Sequence, residues 1–133
     1  MSFDMLSDIK ELVNITGVPL YGDLVADKDN CMALIHTGGF IPEHTMGGVS
    51  NQKPAIIRPT FQIMMRGLSE HDMHGYWDTV INALDGKVNF MPSGTSRTYI
   101  CIKQMSDVMD LGRDSNRRHL HVVNFETWII RAR

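Results

Sequence analysis

PTFQIMMRGLSEHDMHGYWDTVINALDG, residues 59–86, changes its apolar period from two to three and four. Apolar and polar side chains alternate over residues 59–66, which is typical of a strand with one buried face. Gly67 ends this strand, and Ser69 with Asp72 supplies the side chains that begin a helix. The helical stripe that follows is the strongest periodic signal in the chain. Its members are Met73, Tyr76, Trp77, Val80, Ile81 and Leu84. A half-buried strand followed by an amphipathic helix therefore forms the centre of the predicted fold.

Weaker patterns on either side of this centre predict further elements. A first helix precedes Gly17, and proline keeps the next segment extended and at a sheet edge. The apolar phase of the last strand shifts at Val122 and Val123, which predicts a β-bulge or a bend there. The order of elements predicts an α+β fold, with one mostly antiparallel sheet and two helices packed on one of its faces. These flanking elements are a helix at 2–15, an extended segment at 19–24, and strands at 31–36, 98–103 and 119–131.

Length and composition limit the class of protein. The 133 residues fit a single domain, 1–133, and 43% hydrophobic with 21% charged residues is the mixture of a soluble globular chain. No apolar run reaches the roughly 18 residues of a membrane-spanning helix, and the first 17 residues are acidic where a signal peptide would be basic and apolar. We therefore expect a protein that is neither exported nor embedded in a membrane.

Charge is unevenly placed along the chain, although the net charge is only −2. Residues 1–30 hold two basic and six acidic side chains, whereas residues 97–133 hold seven basic and four acidic ones. The net charge gives no bulk reason to bind nucleic acid. The asymmetry is either ordinary solvated surface or a sign that opposite charges meet between neighbouring subunits of a head-to-tail ring.

The residue types that carry chemistry do not form a recognisable active site. His71 and His74 are three residues apart on the predicted helix, and His119 and His121 share one face of a predicted strand, so each pair could bind one metal ion. No His-Glu-x-x-His spacing occurs, and only a tertiary contact would join the two pairs. Residues 93–96 lack the pattern of a nucleophile elbow. We predict no catalytic residue, no cofactor and no metal site, and we expect the two cysteines, Cys31 and Cys101, to be buried free thiols.

Two segments carry more glycine or arginine than a packed core needs. Residues 37–54 show no periodicity and contain two glycine pairs, which predicts a long loop of the kind that binds a partner. The turn at residues 112–118 carries a basic cluster that either stays solvated or pairs with an acidic neighbour or with DNA phosphate.

Short motifs occur in a fixed order: NCMALIHTGG at 30–39, a proline-bearing loop, RPTFQIMMRG at 58–67, the helix, LGRDSNR at 111–117 and VNFE at 123–126. Together they resemble the minor capsid or tail-terminator proteins of long-tailed bacteriophages, over nearly the whole chain. The resemblance implies an α/β sandwich with a sheet and two helices. It also implies a structural virion protein, assembled in the host cytoplasm, whose hexameric ring caps the tail tube, ends tube polymerisation and joins the tail to the head connector.

The partners implied are further copies of this chain, the tail tube protein, the head–tail connector or head completion protein, and DNA passing through the ring without sequence-specific contacts. We expect the assembly surfaces to lie in the 37–54 loop and the 112–118 turn. Two alternatives remain open, another head–tail neck protein and a small metal-dependent enzyme built on the histidines. The residues that we predict at assembly contacts are Thr37, Gly38, Gly39, Gly47, Gly48, Arg113, Arg117 and Arg118.

Overall fold

The computed structural model describes residues 5–24, 28–43, 56–93 and 97–130, with only the backbone of residues 40–43. Two helices and seven strands lie in these ranges. In chain order they are α1 (Met5–Lys10), β1 (Leu20–Tyr21), β2 (Cys31–Glu43), β3 (Ile56–Gly67), α2 (Glu70–Leu84), β4 (Lys87–Phe90), β5 (Thr98–Gln104), β6 (Met109–Arg113) and β7 (His119–Ile130). No helix of the described ranges is long and apolar enough to cross a membrane.

All seven strands join in one sheet of order β1-β2-β3-β7-β5-β4, with β6 paired to β7 beside β5. The pair β1 and β2 is parallel, and every other pair is antiparallel. The long strands β2, β3 and β7 form the middle of the sheet. The predicted α+β fold with a mostly antiparallel sheet is confirmed.

Both helices contribute to one hydrophobic core on a single face of the sheet, as predicted. Alternate residues of β3 and β7 point into this core, and the rings of Phe61 and Phe125 stack there with centroids 5.2 Å apart. The helix α2 adds a stripe of four buried side chains, Met73, Trp77, Val80 and Leu84. The Ser69 hydroxyl accepts a hydrogen bond from the backbone N–H of Asp72, so the predicted helix start is also confirmed.

The first helix is shorter than predicted and is held by a buried ion pair. It ends at Lys10, where the backbone tightens into turns that keep Val13 in the core, so apolar spacing persists after the helix has ended. The Asp8 carboxylate is 2% exposed and lies 2.9 Å from an Arg97 nitrogen. It also accepts a hydrogen bond of 2.7 Å from the Tyr99 hydroxyl. These contacts join α1 to β5 and to the residue directly before it.

The prediction that Gly38 and Gly39 end the first core strand was wrong. β2 passes through both glycines and continues to Glu43, with irregular register between His36 and Gly39 and again before Glu43. The glycines have φ of 94° and 140°, which few other residues adopt, and this freedom lets the strand bulge and stay paired to β3. The predicted loop is therefore strand up to residue 43, and residues 44–55 lie outside the described part of the chain.

Two further corrections concern the second half of the sheet. β4 and β6 were missed because their side chains are largely exposed and show no apolar alternation. The predicted bulge in β7 is absent, since its register with β3 runs without interruption from Gly67–His119 to Thr60–Glu126. Val123 faces the helix layer, and Val122 points to the other face beside Met109, so both are buried without a bulge.

The cysteines are both free, but only Cys31 is buried. Cys101 is half-buried, in contrast to the prediction. Its cross-strand neighbour is Trp128, on the face of the sheet opposite the helices.

Candidate functional site

The described part of the first predicted assembly segment, residues 37–39, lies on strand β2. Thr37, Gly38 and Gly39 are exposed, and the Thr37 hydroxyl shares a hydrogen bond of 2.6 Å with that of Thr60 on β3. A Cβ atom on Gly39 would lie 2.5 Å from the backbone carbonyl oxygen of Arg58, so only glycine allows this approach of β2 to β3. The segment therefore presents backbone in a fixed position. Gly47 and Gly48 lie outside the described residues.

The second segment is the turn between β6 and β7, and Asp114 organises it. The Asp114 carboxylate accepts hydrogen bonds from the backbone N–H groups of Asn116 and Arg118, both at 2.9 Å. These bonds and the Arg118 guanidinium hold the pKa of Asp114 below its usual value of 3.8. Arg117 has a left-handed φ of 62° in this turn. Arg113 and Arg117 are exposed, so two of the three predicted arginines are accessible to a partner.

Arg118 is buried and bonded within the subunit. Its guanidinium donates to the Asp114 carboxylate at 2.8 Å and to the backbone carbonyl of Lys28 at 3.4 Å. Asp29 is 3.8 Å from the same guanidinium. Arg66 also donates to the Lys28 carbonyl. Arg118 thus fastens residues 28–29 to the β6–β7 turn.

Ion pairs within one subunit account for part of the charge asymmetry between the start and the end of the chain. Asp8 pairs with Arg97 and Asp29 lies beside Arg118, so acidic residues of the start contact basic residues of the end. These pairs account for charges that the sequence pattern alone assigned to either solvent or a neighbouring subunit. Arg113 and Arg117 remain exposed, as does Asp23.

The two segments lie at opposite ends of the middle strands. Gly39 is opposite Pro59, which aligns with position 127 of β7, whereas Arg113 is opposite His119. Eight residue steps separate positions 119 and 127, which is about 26 Å at 3.3 Å per residue. The structure therefore does not bring the predicted residues into one patch, and instead it places them at two ends of one subunit.

Sequence reasoning missed the surface around the second segment. Met109 and Leu111 are exposed large apolar residues on β6, the strand that ends at Arg113, and Met105, directly after β5, is exposed as well. From sequence, Met105 and Met109 could line an adaptable interface, but methionines more often fill a core, so burial was the ordinary expectation.

Comparison with known proteins gives a family for this fold. A family model described as bacteriophage tail terminator protein matches residues 4–129, nearly the whole chain. A search of curated proteins returned no match. One solved structure has a TM-score of 0.52 and 11% sequence identity to this chain, and the alignment covers 96% of this chain and 89% of that chain. At that identity the structural likeness shows the fold alone.

Proposed function

The chain belongs to the bacteriophage tail terminator family, whose members are structural and not enzymatic, and on that premise we propose that its copies form a closed hexameric ring on the end of the tail tube. In this role the ring stops addition of tube protein, and it then joins the tail to the head connector. The observation that carries the proposal is the family match over residues 4–129. Capping of the tube places the protein in the virion tail.

A closed ring of identical subunits requires two different, complementary patches on each subunit. The two ends of the sheet expose different groups, which is consistent with this requirement. One end offers the exposed backbone of Thr37 to Gly39, and the other offers Arg113, Arg117 and the apolar side chains of β6. A tube cap that also contacts a head connector likewise needs two different surfaces, one at each end along the tail axis. DNA passes through the lumen of the proposed ring without sequence-specific contacts, and assembly takes place in the host cytoplasm.

Electron microscopy of tails assembled without this protein tests termination directly. We expect tubes longer than normal, because nothing ends their polymerisation. Tubes of normal length that lack heads would instead assign the protein to the neck, as another head–tail connector or completion protein.

The β6–β7 turn is tested by reversing its exposed charges. In the double variant Arg113→Glu with Arg117→Glu we expect normal folding but overlong tails or loss of head joining. The matched control is Lys10→Glu with Lys87→Glu, because these lysines are also exposed but lie on α1 and β4, outside the turn. Normal tails with both double variants would remove the turn from the proposed assembly surface.

A further inference from the structure

The two lateral edges of the sheet expose backbone that has no strand beside it in the described ranges. On one edge, β1 pairs with only Met32 and Ala33 of the 13-residue strand β2, so the outer side of β2 is bare from residue 34 to residue 43. On the other edge, β4 pairs with β5 and does not extend along β6. Bare strand edges can pair with another chain, and native proteins usually block them.

The register of the sheet shows that the two edges are stepped at matching heights. The end of the sheet at the β6–β7 turn is its lower end, and the end at Gly39 is its upper end. β1 lies low, because Tyr21 aligns through β2, β3 and β7 with Met109 of β6. β4 lies high, because Lys87 aligns through β5 with Thr127 of β7, which is the height of Gly39. The bare part of β2 is therefore level with β4, and the bare side of β6 is level with β1.

A second copy placed beside the first, with its strands in the same orientation, fills both steps at once. β1 of the second copy then lies against β6 of the first, and β4 of the first copy lies against the bare part of β2 of the second. The two short strands share one row between long strands, at the usual spacing of about 4.8 Å. By the strand directions in the sheet, β1 meets β6 antiparallel and β4 meets β2 parallel. Native sheets contain both kinds of pair.

Exposed apolar side chains are concentrated on the edge that β4 and β6 form. Of the seven large apolar side chains that are exposed in the described ranges, five lie on these strands or directly beside this edge: Val88, Met91, Met105, Met109 and Leu111. At about 200 Å² for a fully exposed residue of this size, the five together expose on the order of 500 Å², which is the area of a large apolar patch on a monomer. Each partner contributes about 800 Å² to a standard interface, so this edge supplies more than half of that area.

We propose that these edges form the contact between neighbouring subunits, with β4 and β6 of one copy paired to β2 and β1 of the next. The proposal rests on the proposed ring, whose head-to-tail contact requires two different surfaces on each subunit. Backbone groups make this joint, and the β6–β7 turn stays free for the tail tube or the head connector. Side chains project from the faces of a sheet, so Lys87→Glu leaves the backbone pairing of β4 in place.

A pair of introduced cysteines tests the joint. In the double variant Tyr21→Cys with Met109→Cys, the two positions meet only between copies, because β2, β3 and β7 separate them within one subunit. The register places both side chains on the sheet face opposite the helices, and a disulfide requires Cα atoms about 4.4 to 6.8 Å apart. After mild oxidation of tails that carry this variant, we expect a ladder of linked chains longer than a dimer on a non-reducing gel.

The matched control pair is Tyr21→Cys with Val88→Cys. Val88 is 58% exposed and Met109 is 41% exposed, so random collisions would link the control pair at least as readily. Val88 aligns with Trp128, six residue steps above Val122 at the height of Met109, which is about 20 Å along the strand. The control should therefore give no ladder. Both pairs are made with Cys101→Ser, because Cys101 is a free and only half-buried thiol.

Hydrogen exchange of the unaltered chain tests the same joint without any substitution. We expect the backbone amides of β4, β6 and the bare part of β2 to exchange at least about tenfold more slowly in assembled tails than in the dilute chain, because exposed N–H groups become paired. This measurement decides the matter where a cysteine variant folds poorly.

Three results overturn the proposal. These are equal ladders from the two cysteine pairs, no product longer than a dimer from Tyr21→Cys with Met109→Cys in tails, and unchanged exchange at β4 and β6. If tails lacking the protein are overlong, any of these results removes the joint and leaves tail capping in place. A ladder from a protein whose removal leaves tail length normal would instead keep the joint and refute termination.

Discussion

The ion pair that holds α1 to the sheet allows a stability prediction of defined size. α1 has only six residues, too few to be stable as an isolated helix, so its position depends on tertiary contacts. Asp8→Ala removes a carboxylate that contacts two Arg97 nitrogens, at 2.9 to 3.3 Å, and accepts from the buried Tyr99 hydroxyl. A hydrogen bond to a charged group contributes about 1.5 to 3 kcal/mol, and Asp8→Ala removes the bonds from both the Arg97 guanidinium and the Tyr99 hydroxyl. The Arg97 side chain is 22% exposed, and water recovers part of its loss. We therefore expect Asp8→Ala to lower the free energy of unfolding by about 3 to 4 kcal/mol.

Equilibrium urea unfolding measures this loss. With a denaturant slope of about 2 kcal/mol/M, the unfolding midpoint should fall by about 1.5 to 2 M. A double-mutant cycle with Arg97→Met separates the Asp8–Arg97 coupling from the Tyr99 hydroxyl, which Tyr99→Phe removes alone. Lys10→Ala on the exposed side of the same helix is the control and should change stability by less than about 0.5 kcal/mol. A loss below about 1 kcal/mol for Asp8→Ala would show that burial of Met5 and Ile9 alone holds the helix.

Three further changes test the strand bulge, the helix start and the turn. Gly39→Ala should cost about 3 kcal/mol because its Cβ meets backbone of Arg58, whereas Gly38→Ala meets open space and should cost about 1 to 2 kcal/mol of backbone strain; thermal unfolding ranks the two, and equal losses would contradict the close approach. Ser69→Ala should cost about 1 kcal/mol in urea unfolding because it removes the helix cap; an unchanged midpoint would mean that the cap contributes nothing. Asp114 has a folded pKa below the 3.8 of the unfolded chain, so it stabilises the fold above about pH 4 and this contribution is lost as pH falls through the folded pKa. The acid-induced loss of stability below pH 4 should therefore be smaller in Asp114→Asn, and identical pH profiles would refute the assignment.

The centre of the fold could be read from sequence because its local patterns agree with its tertiary environment. β3 alternates and α2 carries an apolar stripe, and the apolar face of each packs into the core, although Tyr76 and Ile81 of the predicted stripe are only half-buried. β4 and β6 could not be predicted in this way. They are exposed edge strands without a buried face, so their sequences show no alternation of apolar and polar residues. The prediction that Gly38 and Gly39 end the strand was wrong because glycine supplies the positive φ that a loop needs and equally the positive φ of a β-bulge.

The predicted site is harder to read from sequence, because a side chain's partner is a tertiary fact. Arg118 stands in the same basic cluster as Arg113 and Arg117, yet only Arg118 is buried, against Asp114 and the carbonyl of Lys28. His74 and His121 are far apart along the chain, and they meet because α2 packs over β7. Composition gives the number of charges and ligands, and the register of the sheet decides which of them pair.

The same register constrains how the proposed ring can work. β7 pairs with β3 without a bulge over the stretch that joins the two predicted assembly segments, and Thr127 adds a side-chain hydrogen bond of 2.8 Å to the Pro59 carbonyl opposite Gly39. A central strand paired on both sides does not shorten or bend without loss of ladder hydrogen bonds. The sheet therefore holds the two predicted assembly segments about 26 Å apart along β7. Adjustment to different partners is left to the segments at those ends, and for that reason charge reversal at Arg113 and Arg117 is the sharper test of assembly than any change within β7.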